Sequence, residues 1–111
     1  MTDAVADLAA AKTRLGQFAK SAPALMQGFA AISRQATTAR AFSAAQKELM
    51  TVAIAVVKGC DDCILYHLDA ARRYGATESD LLEVLAIAVE MGGGPAIMYS
   101  GRALEAFRKL A

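Results

Sequence analysis

Residues 43–67 read SAAQKELMTVAIAVVKGCDDCILYH, and this segment sets the helical architecture of the 111-residue chain. Ser43 is followed three residues later by Gln46, the spacing of a capping box, so a helix is predicted over residues 44–58. Gly59 is suited to end that helix, because glycine adopts the left-handed conformation common at helix ends. A second helix is predicted directly after the glycine, and the two form an antiparallel hairpin.

The same reading extends to the rest of the chain, in which no stretch has the pattern of a strand. Helices are predicted over residues 3–19, 23–35, 44–58, 60–75, 77–91 and 95–109. The run Gly92-Gly93-Gly94 separates the last two. The predicted fold is therefore an all-α bundle of about six helices in one domain, residues 1–111, in which a helical hairpin carries both cysteines.

Composition and charge exclude several classes of function. The formal charge is +1 with no basic cluster, which argues against nucleic acid as a partner. The apolar run at residues 49–57 is about half of the roughly 20 residues that span a bilayer, so no membrane association is expected. The N-terminus has Asp3 and Asp7 instead of the basic start of a secretion signal. A cytoplasmic location is expected.

Two of the predicted helices are apolar on almost every side. They contain residues 49–57 and residues 81–89, and a helix of this kind needs cover all around. Six helices of this size leave little chain to cover both. The expectation is therefore that the subunits cover one another in a homo-oligomer.

The segment Cys60-Asp61-Asp62-Cys63-Ile64-Leu65-Tyr66-His67 holds both cysteines and the only histidine. On a helix Cys60, Cys63 and His67 share one face, and two thiols three residues apart can close a small disulfide ring. Free backbone N–H groups and the helix dipole at a helix start favour the reactive thiolate. His67 lies one turn after Cys63, where an imidazole can accept or return a proton. The segment predicts two-electron redox chemistry.

Glu48 is the predicted acid–base partner of His67. In an antiparallel hairpin about Gly59, Glu48 comes within about one turn of His67. It also precedes the apolar run, and a carboxylate partly withdrawn from water is a stronger base. Asp61 and Asp62 act in the opposite direction on the thiols, because nearby negative charge disfavours a thiolate, although both acids suit the first turn of a helix.

Several residues together carry a family resemblance. They are Glu48 and its spacing of twelve positions to Cys60, the Cys60-x-x-Cys63 pair, His67, Gly75-Ala76-Thr77, Gly93-Gly94-Pro95-Ala96 and Ala103-Leu104-Glu105-Ala106-Phe107. The pattern resembles the AhpD-like alkylhydroperoxidase branch of the carboxymuconolactone decarboxylase family. The resemblance covers residues 40–108 and leaves residues 1–40 as additional N-terminal helices.

This resemblance implies an all-α fold in trimers or hexamers and a thiol-dependent reduction of hydroperoxides. It implies that Cys63 attacks the peroxide, that Cys60 resolves the sulfenic acid as a disulfide, and that His67 and Glu48 relay protons. It further implies a thiol electron donor such as a lipoyl-bearing protein, and a peroxiredoxin as partner. This chain departs from the best-known family peroxidase, which is longer and has a histidine at the position of Asp62.

Other interpretations of the same residues are weaker. A zinc site needs about four protein ligands, more than the cysteines and His67 supply, and a haem attachment site needs a histidine directly after the second cysteine. No cofactor and no metal are therefore predicted. Glu90 is interpreted as structural, whereas two alternatives stay open for Tyr66 and Tyr99, which either line a pocket or pack in the protein interior. The same dithiol pair would also serve a general disulfide reductase or act on a different oxidant. Two functions of other classes stay open as well: a decarboxylase-type enzyme of the same family, and a redox-responsive binding module without turnover.

Overall fold

The computed structural model describes residues 3–111, so Met1 and Thr2 of the predicted domain lie outside the described residues. Over this range the chain is helical and has no strand. The helices are α1 (Ala4–Ser21), α2 (Pro23–Thr37), α3 (Ala44–Lys58), α4 (Asp61–Arg73) and α5 (Glu78–Lys109). The predicted all-α fold is confirmed.

Polar side chains start the helices at the positions that the sequence indicates. Ser43 and Gln46 exchange both hydrogen bonds of a capping box at the start of α3, at 3.1 and 2.9 Å. Thr77 and Asp80 do the same at the start of α5. Each pair satisfies N–H groups that a helix start leaves without intrahelical partners, so both helices begin where their caps are.

Gly59 makes the turn between α3 and α4. Its φ of 68° is left-handed, and the turn is closed by hydrogen bonds from the N–H of Gly59 to the carbonyl of Val56 and from the N–H of Cys60 to the carbonyl of Ala55. This is the pair of bonds of a Schellman motif. The turn sends α4 back along α3 and places the cysteines at the start of α4.

Helix α5 is bent back on itself at Gly93, whose φ of 65° and ψ of −146° are not helical. Arg108 in its last turn binds Glu78 in its first, with Nε 2.7 Å from Oε1. In a straight helix, thirty residues would separate these positions by about 45 Å. The structure thus has five helices where about six were predicted, because the chain resumes its helix directly after the glycine without a connecting loop.

The core lies around α3, which packs against both α4 and α5. The largest fully buried side chains of the core are Ile64, Leu65, Leu68, Leu81, Val52 and Val56. From α1 the core receives Ala4, Leu8 and Ala11, so this helix packs through small residues near its start. Leu15 and Phe18, which the sequence places on the same apolar stripe as Leu8, are exposed in the single chain.

One helix of the described chain, α5, is long and apolar enough to pass a length-and-composition test for a membrane span, which the sequence analysis did not foresee. The core helix of a water-soluble protein passes the same test. The bend at Gly93 divides α5 into arms at residues 78–92 and 94–109. Each arm is shorter than the roughly 20 residues that cross a hydrocarbon core.

Candidate active site

Cys60 and Cys63 form a disulfide at the start of α4, with their Cα atoms 5.3 Å apart. Cys60 is half-buried, whereas Cys63 is exposed. Helix α4 begins at Asp61, one residue later than predicted, and Cys60 is its N-cap. The pair is therefore closed at a helix start and open to solvent on the side of Cys63.

The sulfur of Cys60 takes the place of a capping oxygen. It accepts a hydrogen bond from the N–H of Cys63 at 3.3 Å. Backbone N–H groups at a helix start stabilise negative charge, and the same donor would stabilise a Cys60 thiolate once the disulfide is reduced. The local backbone thus favours charge on Cys60 in the dithiol state.

Glu48 and His67 lie in contact across the α3–α4 hairpin. The Nδ1 of His67 is 2.6 Å from Oε2 of Glu48, and the two side chains are 23% and 9% exposed. A carboxylate accepts this hydrogen bond, which assigns the proton to Nδ1 and leaves Nε2 as the free basic nitrogen. The structure thus brings together two of the four predicted site residues and joins the other two by the disulfide.

The two tyrosines left open by the sequence, Tyr66 and Tyr99, both make packing contacts beside the site. The Tyr66 and His67 rings meet edge to face with centroids 5.2 Å apart. The Tyr99 ring lies so close to Gly59 that a Cβ there would be 3.3 Å from it. Glu90 is exposed. Tyr99 thereby holds the turn that precedes the cysteines.

Both aspartates between the cysteines lie next to arginines from other helices. Arg14 of α1 donates from one nitrogen to both carboxylate oxygens of Asp62, at 3.1 and 3.3 Å. Arg102 of α5 has Nη1 3.8 Å from Oδ2 of Asp61. Neither arginine was predicted from the sequence, because each lies on a helix far along the chain, Arg14 being 48 residues from Asp62, and no local pattern marks either one.

A cleft of about 190 Å³ lies beside the motif, lined by Asp7, Ala10, Arg14, Asp61, Asp62 and Leu65. A larger one, about 390 Å³, lies between the starts of α3 and α5. None of the four predicted site residues lines either cleft. Across residues 3–111, no three His, Cys, Asp or Glu side chains are grouped so as to hold a metal ion. The arrangement places a disulfide at the start of α4 and, one helical turn further along, a histidine that is hydrogen-bonded to a glutamate.

Comparisons with known proteins agree on one family. The model of the carboxymuconolactone decarboxylase family matches residues 23–106. An uncharacterized protein of Cupriavidus necator is 45% identical over 109 residues, which are 98% of this chain and 96% of that protein. An uncharacterized protein in the cox locus of Paracoccus denitrificans is 33% identical over 94 residues, 85% of each chain.

Solved structures agree with the sequence matches. The apo crystal structure of a carboxymuconolactone decarboxylase family protein from Legionella pneumophila has a TM-score of 0.89 and 42% identity, covering 93% of this chain and 92% of that one. A family protein from Thermotoga maritima, for which involvement in an antioxidative response has been suggested, has a TM-score of 0.82 and 27% identity, covering 94% and 89%. With this fold and these matches, the chain belongs to the carboxymuconolactone decarboxylase family.

Proposed function

We propose that this protein is an AhpD-like, thiol-dependent peroxidase that cycles between the Cys60–Cys63 dithiol and its disulfide. The observation that carries the proposal is the disulfide at the start of α4, one helical turn from a histidine that is hydrogen-bonded to a buried glutamate. The antioxidative response suggested for the Thermotoga maritima relative agrees with this activity.

In the proposed cycle the exposed Cys63 attacks the hydroperoxide as a thiolate. A bond forms between its sulfur and the terminal peroxide oxygen, the O–O bond breaks, and the alkoxide leaves as an alcohol after taking a proton. The thiolate of Cys60 then attacks the sulfur of the Cys63 sulfenic acid. The S–S bond forms, the S–O bond breaks, and the departing hydroxide takes up the proton that the Cys60 thiol gave up and leaves as water. One hydroperoxide is thus reduced to alcohol and water while two thiols are oxidised to one disulfide.

His67 and Glu48 serve as the proton relay of this cycle. The free Nε2 of His67 accepts the proton of the Cys63 thiol, and the imidazolium returns it to the leaving alkoxide. Glu48 accepts from Nδ1, which holds the ring in the tautomer that leaves Nε2 free to accept a proton. The burial of Glu48 strengthens that interaction, because water screens it less.

A dithiol donor restores the reduced state. The donor thiolate attacks the more exposed sulfur, that of Cys63, and Cys60 leaves as the thiolate that the Cys63 N–H stabilises. A second attack within the donor releases the Cys63 thiol and leaves the donor as a disulfide. We propose a lipoyl-bearing protein as the donor, a peroxiredoxin as a further partner, and a cytoplasmic location.

The test is the consumption of tert-butyl hydroperoxide with dihydrolipoamide as the donor. The wild type should turn over repeatedly, Cys63→Ser should be inactive, and Cys60→Ser should stop at a sulfenic acid that dimedone traps. Formation of the disulfide without turnover would contradict the peroxidase and favour a redox-responsive binding module. Activity on a lactone or carboxylate substrate that survives loss of both cysteines would instead favour a decarboxylase-type enzyme.

A further inference from the structure

We propose that Arg14 and Arg102 are positioning residues for the redox pair, which neutralise Asp61 and Asp62 and thereby raise the reduction potential of the disulfide. The inference rests on the reversible dithiol chemistry proposed above but is independent of the oxidant. It concerns residues from α1 and α5 that no local motif marks.

The two aspartates create an electrostatic problem for the dithiol. They are the only residues between the cysteines, and a carboxylate near a thiolate raises the free energy of the reduced, charged state. One oxygen of Asp61, Oδ1, is buried and has no hydrogen-bond partner among residues 3–111. The two carboxylates by themselves shift the equilibrium toward the disulfide.

The arginines oppose this effect from two sides. Arg14 reaches both oxygens of Asp62 from α1, and Arg102 faces Asp61 from α5 while lying over the Tyr99 ring, 5.4 Å from its centroid. Each guanidinium adds a positive charge next to a negative one at the start of α4. Because each arginine charge offsets an aspartate charge, the main electrostatic influence on the sulfurs is the helix N-terminus, which favours the thiolate.

Surface exposure decides how large the effect is and where it appears. The Arg14 and Asp62 side chains are 59% and 57% exposed, so their pairing adds little to folding stability. A unit charge a few ångström from a thiolate still changes its equilibrium, about threefold to tenfold at a partly solvated site. Substitution of Arg14 or Asp62 should therefore change the reduction potential of the disulfide while leaving the free energy of unfolding almost unchanged.

The test measures the equilibrium of the full chain with a glutathione buffer at pH 7, read as the fraction of alkylated thiols. In this reaction the disulfide and two glutathione molecules give the dithiol and one glutathione disulfide. Arg14→Gln and Arg102→Gln should each lower the equilibrium constant about threefold to tenfold, where tenfold equals about 30 mV for two electrons. Asp62→Asn should raise it, and the Arg14→Gln/Asp62→Asn double variant should stay within about twofold of wild type.

Matched controls separate charge from structure. Arg14→Lys keeps the charge and should leave the constant unchanged. Arg73→Gln removes an exposed arginine that pairs with Asp69 on the same helix, in its last turn, and should also change nothing. The shift in Arg14→Gln should shrink in 1 M salt, where the Debye length falls to about 3 Å.

The inference is overturned if Arg14→Gln matches wild type, if Arg73→Gln shifts the constant equally, or if the shift persists in 1 M salt. These results would leave the peroxidase proposal intact. A wild-type pair that reaches no equilibrium with glutathione would overturn both proposals. Absent peroxide consumption with normal glutathione equilibria would overturn the peroxidase alone.

Discussion

The hydrogen bond between Glu48 and His67 joins the two helices of the hairpin that carries the cysteines. Glu48 is the one charged residue of the described chain that is buried, and its carboxylate meets His67 at 2.6 Å. A buried carboxylate is unfavourable unless it is paired and hydrogen-bonded. His67 meets this requirement, and the same hydrogen bond is the one that the proposed proton relay uses.

Replacement of Glu48 by glutamine tests this role directly. Glu48→Gln keeps the shape of the side chain but removes the carboxylate that accepts the hydrogen bond of His67 Nδ1. We expect oxidation of the dithiol by tert-butyl hydroperoxide to slow about 10²-fold, the lower end of general acid–base contributions. The measurement is the loss of free thiols with time after mixing.

The control is Glu90→Gln, which replaces an exposed glutamate of α5. The dithiol of this variant should be oxidised at the wild-type rate. An unchanged rate in Glu48→Gln would remove the glutamate from the proposed relay. A circular dichroism spectrum like that of wild type would show that the loss of rate does not come from unfolding.

Among the helices, the α3–α4 hairpin and the bent α5 position the site. Gly59 has a left-handed φ of 68°, and the Tyr99 ring leaves little room for a side chain there. The bend at Gly93 brings the second arm of α5 back along the first. Tyr99 and Arg102 of that arm therefore lie at the start of α4, next to Gly59 and Asp61. Two glycines thus set the geometry around the cysteines.

Substitution of Gly59 should destabilise the hairpin. Gly59→Ala places an L-residue in left-handed conformation, which raises the free energy of the native state by about 1–2 kcal/mol, and the added Cβ also approaches Tyr99. Urea unfolding followed by circular dichroism measures this change. Gly16→Ala, in the open interior of α1, should instead stabilise by about 0.5–1 kcal/mol. Equal stabilities of the two variants would contradict this account of the turn.

The contact between the two ends of α5 predicts a pH dependence. The hydrogen bond from Arg108 lowers the pKa of Glu78 below its ordinary value of 4.5. The folded protein therefore holds this proton less readily than the unfolded chain, so the stabilisation is present above that value and is lost as the pH falls through the lowered pKa. Between pH 7 and pH 3, wild type should lose more stability than Glu78→Gln.

Urea midpoints at the two pH values, at one fixed protein concentration, measure this difference. Glu105→Gln removes another exposed carboxylate of α5, which pairs with Lys109 one turn away, and controls for the loss of one negative charge. Parallel losses of stability in wild type and Glu78→Gln would show that the contact between the helix ends contributes nothing.

As a whole, the single chain leaves much apolar surface open. Helix α2 has no buried residue, and Leu25, Phe29 and Ile32 on it are each more than half exposed. Ile54 of α3 and Ile87 of α5, from the two apolar runs, are also exposed. Contiguous apolar patches of this kind mark association surfaces. The homo-oligomer, a trimer or hexamer, stays a prediction that these surfaces support.

The predicted homo-oligomer is tested by light scattering, which measures the mass of the wild type and of variants with one charge introduced in α2. Wild type should have the mass of a trimer or hexamer at micromolar concentration. Phe29→Asp should lower that mass while the helical circular dichroism signal stays, because a buried, unpaired carboxylate would disfavour the interface. Gln27→Asp, a charge at a polar position of the same helix, should leave the mass unchanged. A folded wild-type monomer would refute the prediction.

Local patterns were enough for the helical class, the capped starts of α3 and α5, the turn at Gly59 and the grouping of Glu48 with His67. These features depend on residues within one hairpin or one helix end, where spacing alone determines which groups meet. The run of three glycines, residues 92–94, predicted a break in this part of the chain. The sequence did not predict that the helix would resume directly after Gly93, because that depends on how the second arm of α5 packs.

Only the tertiary structure revealed what surrounds the motif. Arg14 and Arg102 reach the aspartates from helices distant in sequence, and α1 buries Ala4, Leu8 and Ala11 while Phe18 stays exposed. Alanine is too small and too frequent here for periodicity to show which face is buried. Contacts between distant helices are decided by packing of the whole chain, because the energy of each contact depends on where every other helix lies.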